Sequence, residues 1–206
     1  MPRSKSSNQW LQRHVNDPFV KKAQLDGYRS RSAYKLVELN EKDRLIRPGM
    51  RILDLGSAPG GWSQVAGKLV GAKGRVLATD ILPMASLANV DFVQGDFTED
   101  ETVEKLLAWL GGGKFDLIVS DIAPNITGID SADQASSMYF LELALDTVRK
   151  TLKPGATFVA KMFQGAGSDQ YLKELRTSFD KVLIRKPAAS RAQSREVYIV
   201  AKGFKG

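Results

Sequence analysis

Seven short runs rich in Val, Ile, Leu and Phe recur along this chain, and segments of helical period stand between most of them. The runs are RILDLG (51–56), GRVLATD (74–80), VDFVQGD (90–96), FDLIVSD (115–121), ATFVAKM (156–162), KVLIRK (181–186) and EVYIVA (196–201). Strands alternating with helices define an α/β protein with a largely parallel sheet and helices on both faces. Helices are predicted from Ser32 through AYKLVELNEKDRLI, closed by Pro48-Gly49, and over GWSQVAGKLVG. A capping box of Thr98 and Glu101 opens another, with Val103, Leu106, Leu107 and Leu110 on one face. Met138, Leu141, Leu145, Val148 and Leu152 step along a long helix that Pro154-Gly155 stops, and a further helix lies around 169–179. Only a nine-residue loop, 187–195, separates the last two strands, so these pair antiparallel.

A chain of 206 residues fits one domain. Residues 1–28 read as a loosely ordered basic arm in which Trp10, Leu11, Val15, Phe19 and Val20 could form an amphipathic turn or two, and 29–206 as a single catalytic domain. No run approaches the ~18 apolar residues that span a bilayer. The opening MPRSKSSNQW has no apolar core of a secretory signal, so a cytoplasmic protein without membrane contact is expected. There is no cysteine, which excludes disulfides and thiolate metal sites. The one histidine, His14, removes Ser-His-Asp hydrolysis and multi-histidine zinc sites.

Charge is distributed unevenly. Residues 1–35 hold eight Lys/Arg against two acids, and 181–206 hold seven against one, while the body between them is net acidic. Two basic ends on one domain point to a polyanion such as nucleic acid. Solvated termini would account for either end alone.

In an open parallel sheet, ligands bind beyond the carboxyl ends of the strands. Asp54, Asp80, Asp96, Asp121 and Lys161 fall there. Lys161 is the odd one, a cation inside the apolar FVAKMF, and burying it is costly unless its charge is compensated. The densest signal is DLGSAPGGW (54–62), whose glycines 56, 60 and 61 permit a sharp turn and a close backbone approach. It is not GxGxxG, so the pyrophosphate fingerprint of a nicotinamide cofactor is missing. With Asp80 placed to take ribose hydroxyls, the sheet is expected to bind a nucleoside-containing cofactor.

DLGSAPGGW, SDIAPN (120–125), FVAKMFQG (158–165) and SREVYIVA (194–201) together resemble the FtsJ/RrmJ family of S-adenosylmethionine-dependent RNA 2′-O-ribose methyltransferases, from about Trp10 to the C-terminus. The resemblance implies a Rossmann-like methyltransferase fold, seven strands with an antiparallel last one, S-adenosyl-L-methionine as cofactor without a metal, and a uridine ribose of large-subunit (23S) ribosomal RNA as substrate. It also implies a catalytic set of Lys35, Asp121, Lys161 and Glu196. Gly60 and Trp62 would lie near the methionine moiety, Asp80 on the ribose, Asp96 at the adenine and Asp121 near the methionine end. Ser57 departs from the alanine that relatives often carry.

A ribose hydroxyl is a weak nucleophile that needs in-line geometry and help with its proton. Lys161 would remove that proton when neutral, or steady the developing oxyanion when charged. Asp121 and Glu196 are expected as its counter-charges. Arg29, Arg31, Arg191 and Arg195 are candidate phosphate contacts that would position RNA without reading its sequence. Trp109 reads as packing, and Trp10 as an anchor for the arm or a stacking platform. A monomer acting on ribosomal RNA within the large subunit is the reading these residues favour. Its rivals are the same chemistry on transfer RNA or an RNA cap, a small-molecule methyltransferase, and a non-catalytic ribosome-assembly factor.

Overall fold

The structure, a computed structural model, describes residues 17–124 and 127–206. Trp10, Leu11, His14 and Val15 of the arm, and Asn125 of SDIAPN, lie outside the described residues. The elements run α1 (Pro18–Leu25), α2 (Ala33–Asp43), β1 (Arg51–Leu55), α3 (Gly61–Val70), β2 (Arg75–Asp80), β3 (Val90–Gln94) and α4 (Asp100–Leu110). Then follow β4 (Phe115–Ser120), α5 (Asp130–Thr151), β5 (Leu152–Phe163), α6 (Ser168–Ser178), β6 (Phe179–Arg185) and β7 (Glu196–Phe204).

One sheet of seven strands has the order β3-β2-β1-β4-β5-β7-β6. The first five are parallel; β7 inserts antiparallel between β5 and β6. The expected fold class is therefore the observed one. Alternate residues of each inner strand feed two apolar layers. Leu53, Leu55, Leu77 and Phe158 pack on one face with Leu106 of α4, Leu145 of α5 and Leu175 of α6. Ile52, Val76, Val119 and Val159 pack on the other with Leu36 of α2 and Val65 of α3. Covered on both faces, these strands read as nearly continuous apolar runs. The strand order reverses between β1 and β4, which opens a crevice at their carboxyl ends.

Four local expectations are corrected. Helix α2 stops at Asp43 with Arg44 left-handed at φ 50°, because Leu45 and Ile46 turn inward to be buried. The capping box before α4 does not form: Glu99 is the cap residue, Asp96 accepts from the Thr98 amide at 2.9 Å, and Glu101 pairs with Lys105 one turn on. Leu107 is 42% exposed, so the apolar face is narrower than read. Helix α5 ends at Thr151, before Pro154-Gly155; those two residues belong to β5, where a register shift against β4 absorbs them.

Part of the basic arm is also built into the domain. Helix α1 is capped by Asp17, buries Ala23, and sets Phe19 against Tyr34 with ring centroids 5.7 Å apart. Asp17 meets Arg31 at 3.1 Å.

Candidate active site

Glycine shapes the turn after β1. Gly56 adopts φ 68°, and a Cβ there would stand 2.1 Å from Cγ1 of Ile122. Its amide and that of Ser57 both donate to the Thr79 carbonyl, drawing the turn against β2. Asp80 locks the same turn from the end of β2. Its carboxylate accepts from the Ala58 amide and the Leu82 amide, each at 2.8 Å, and still has lone pairs to offer. Gly60, at φ 107°, starts α3.

A cavity of about 310 Å³ opens beside this turn. Asp80, Asp96 and Asp121 stand on its walls between the apolar Ile81, Phe97 and Phe140. Carboxylates among apolar walls suit a nucleoside with a cationic tail, and the glycine cradle lets the ligand meet backbone. These acceptors and apolar walls thus fit S-adenosylmethionine. Trp62 lies in a small adjoining cavity with Ser32, Asp54 and Asp121. Its indole donates to the Ser32 carbonyl at 2.9 Å and its ring leans on Tyr198 at 5.6 Å.

Asp54, on β1, is buried, and Ser63 donates to it at 2.5 Å. Burial raises its pKa to about 7, against the lowering effect of Ser63, with Asp121 and Asp80 adding to the rise.

The four residues of the proposed catalytic set converge at the rim. Lys161 Nζ stands 3.1 Å from Asp121 Oδ1 and donates to the Asp121 carbonyl at 2.6 Å. Lys35 Nζ stands 2.7 Å from Glu196 Oε1. Of the two expected counter-charges, Asp121 touches Lys161 directly, whereas Glu196 pairs with Lys35 and acts on Lys161 from farther off. In the β5–β7 register Lys161 faces Tyr198 and Glu196 faces Phe163, so a phenol fills the space between the two ion pairs. Tyr198 OH donates to Asp121 Oδ1 at 2.6 Å and lies 3.4 Å from Glu196 Oε1. Burial first, then the two carboxylates, push the Tyr198 pKa well above its usual value, which keeps it a donor. Burial alone would raise the Glu196 pKa, but Lys35, Ser190 and Lys161 outweigh it and hold Glu196 below the ordinary carboxylate range.

Sequence reasoning missed Tyr198 and Ser190, whose hydroxyl donates to Glu196 at 2.8 Å. Tyr198 was findable, since it stands two residues after Glu196 and so on the same face of β7. Ser190 carried no pattern. Glu38, one turn after Lys35 on α2, accepts the Ala188 and Ala189 amides and fixes the loop that carries Ser190.

The four arginines divide. Arg29 spends its guanidinium on the carbonyls of Pro59, Ala85 and Ser86, bracing the glycine turn. Arg31 is mostly buried between Asp17 and the Ala189 carbonyl. These contacts give both a structural task within the chain. Arg191 and Arg195 are about half exposed, with loose contacts to Asp17 (3.8 Å) and Asp130 (3.4 Å). Trp109 packs on Phe115 and donates to Asp91, as expected of a packing residue.

The sheet order and its antiparallel β7 place this protein among Rossmann-like methyltransferases. A ribosomal RNA methyltransferase from Plasmodium falciparum matches it with a TM-score of 0.79 at 31% identity, over 87% of this chain and all of that one. A family model described as FtsJ-like methyltransferase matches residues 28–204, and the chain belongs to that family. Proteins named ribosomal RNA large subunit methyltransferase E are similar over the whole chain. The one from Stutzerimonas stutzeri is 71% identical across the full length of both, and the one from Marinobacter nauticus is 64% identical, covering all of this chain and 99% of that one.

Proposed function

We propose that this protein transfers a methyl group from S-adenosyl-L-methionine to the ribose 2′-hydroxyl of a uridine in large-subunit (23S) ribosomal RNA. The observation that carries the reading is the Lys161–Asp121–Tyr198–Glu196–Lys35 chain of contacts at the edge of the nucleoside-sized cavity. Relatives of this length and similarity named for ribosomal RNA support the substrate.

Bound in that cavity, S-adenosylmethionine supplies an electrophilic methyl group. Asp80 offers its remaining lone pairs to ribose hydroxyls, Asp96 lies toward the base, and Asp121 faces the cationic end. Gly60 and Trp62 shape the turn and the wall behind it. Lys161 acts on the incoming hydroxyl, taking its proton or countering the charge left on oxygen. Asp121 fixes the Lys161 amino group through both its carboxylate and its carbonyl, and Tyr198 fixes Asp121. Lys35 and Glu196 form the second ion pair and complete a set of two cations and two anions. Arg191 and Arg195, open to solvent beside Glu196, contribute to holding RNA.

All these groups come from one chain, so the reading needs no second copy, and we assign a monomer. Among the described residues no helix is long and apolar enough to cross a membrane, and a cytoplasmic site of action fits a ribosomal substrate.

The test is transfer of label from S-adenosylmethionine to large ribosomal subunits purified from a strain lacking this enzyme. The expected product is 2′-O-methyluridine. Label on a base, or on transfer RNA alone, would overturn the reading.

A further inference from the structure

Phe163 is an aromatic side chain with no packing partner of its own kind. It is half-buried, joins neither of the two large core clusters, and pairs with no other ring among the described residues. It stands two residues beyond Lys161 on β5, hence on the same face, directly opposite Glu196. A second cavity, of about 260 Å³, lies over it. Pro124 lines both this cavity and the larger one, so the two meet at the segment that begins with Asp121.

The lining of the second cavity carries both hydrogen-bond donors and acceptors. Ser194 Oγ accepts from the Glu196 amide at 3.1 Å, which leaves its hydroxyl hydrogen to donate. Arg195 adds a guanidinium. Its contact with Asp130 is long, 3.4 Å, and both side chains are at least half exposed, so solvent screening leaves the pair weak and free to turn to a ligand. Beside these donors are the carboxylates of Asp130 and Asp133 at the start of α5. Behind them Gln134 is buried and rigid, since its amide nitrogen donates to the carbonyls of both Phe163 and Ala166.

We propose that this cavity receives the base of the target nucleotide, a pyrimidine with ring carbonyls flanking an N–H, stacked on Phe163. Its carbonyl meets Arg195 and Ser194, and its N–H meets Asp130. The proposal rests on the functional reading above. A ribose whose hydroxyl must reach the buried Lys161 cannot keep its base within an RNA stack, and an unstacked base gains from an aromatic platform. The placement accounts for a ring left over by the core at the one edge where substrate enters.

The test measures single-turnover transfer to unmodified large subunits by the full chain carrying Phe163→Tyr, Phe163→Leu or Phe163→Ala. Affinity for S-adenosylmethionine is measured in parallel. The tyrosine variant is expected to stay near wild type. The leucine and alanine variants are expected to lose kcat/KM by roughly tenfold or more, with cofactor affinity unchanged. A leucine variant as active as the tyrosine one would make the ring mere packing and overturn the proposal. For Arg195→Ala, a loss of kcat/KM with an unaltered salt slope is expected. A slope reduced by about one would make Arg195 a phosphate contact and overturn the base assignment. A wild-type protein that leaves the subunits unmethylated overturns the functional reading and this proposal with it. Active wild type with unaffected Phe163 variants overturns the cavity alone.

Discussion

The hydroxyl of Tyr198 donates to the Asp121 carboxylate at 2.6 Å, and so ties the end of β4 to β7 across β5, which carries Lys161. Asp121 then has two donors on one oxygen, the phenol and Lys161 Nζ. Replacing Tyr198 with Phe removes one of them and changes little in shape. The expected cost in stability is about 1 kcal/mol, that of one hydrogen bond lost to a partly buried carboxylate. Transfer should slow further, because Asp121 then holds Lys161 less firmly. Urea unfolding and single-turnover rates check this; a variant with wild-type rates would confine Tyr198 to packing.

Lys161 has two roles open to it, and two substitutions separate them. Lys161→Ala removes both, and transfer is expected to fall at least ~100-fold while S-adenosylmethionine still binds. Lys161→Arg keeps a positive charge that never titrates in the working range. If Lys161 steadies the oxyanion, the arginine variant retains measurable transfer and a flat pH profile. If Lys161 takes the proton, the arginine variant is as inactive as the alanine one.

The sheet was legible because its inner strands are buried on both faces, and β1, β2, β4 and β5 each end at or beside a charged residue of the site. Lys161 stood out as a charge in an apolar run, and Glu196 fell beside it once β7 was taken as antiparallel. Arg29 and Arg31 show why part of the site was not legible. Apart from the Asp17 carboxylate beside Arg31, their partners are carbonyls of Pro59, Ala85, Ser86 and Ala189, and every residue has a carbonyl, so no residue type betrays those contacts. The same holds for Asp96, whose bond to the Thr98 amide displaced the expected capping box. Lys35 was placed by resemblance alone, since nothing local in SAYKL distinguishes it from a solvated helix lysine.

Glu196 and Lys35 form a buried pair, and its pH dependence has a definite sign. The Glu196 pKa is lowered on folding, so its contribution is present above the unfolded value, taken as 4.5, and is lost as pH falls through the folded one. Glu196→Gln leaves Lys35 buried without its anion and is expected to cost about 3–5 kcal/mol near neutrality. The difference between wild type and variant should shrink as pH drops below about 4.5. Thermal unfolding of both proteins from pH 3.5 to 7 measures it; a constant difference would show that the pair is not linked to folding.

Gly56 faces Ile122, and both line the larger cavity. Gly56→Ala adds strain at positive φ and an overlap with Ile122, which must move into the cavity. Affinity for S-adenosylmethionine is expected to drop about tenfold or more. Titration calorimetry, with circular dichroism to show a folded variant, reads this directly. Unchanged affinity would mean that the cofactor does not use this cavity.

Asp54 gives the opposite pH signature. Its pKa is 3.8 in the reference state and about 7 in the fold, so the folded protein holds a proton through the interval between them. The contribution of Asp54 to stability is therefore greatest below pH 3.8 and declines as pH rises to about 7, by up to ~1.4 kcal/mol per unit. Above that the carboxylate is charged within a buried site, next to Asp121 and Asp80. Asp54→Asn keeps the shape and an acceptor for Ser63 but has nothing to ionise. The variant should gain on wild type steadily from pH 5 to 7, and the advantage should level off by pH 8.5. Urea denaturation at pH 5, 6, 7 and 8.5 tests this. Parallel stability profiles for the two proteins would show that Asp54 is ionised throughout.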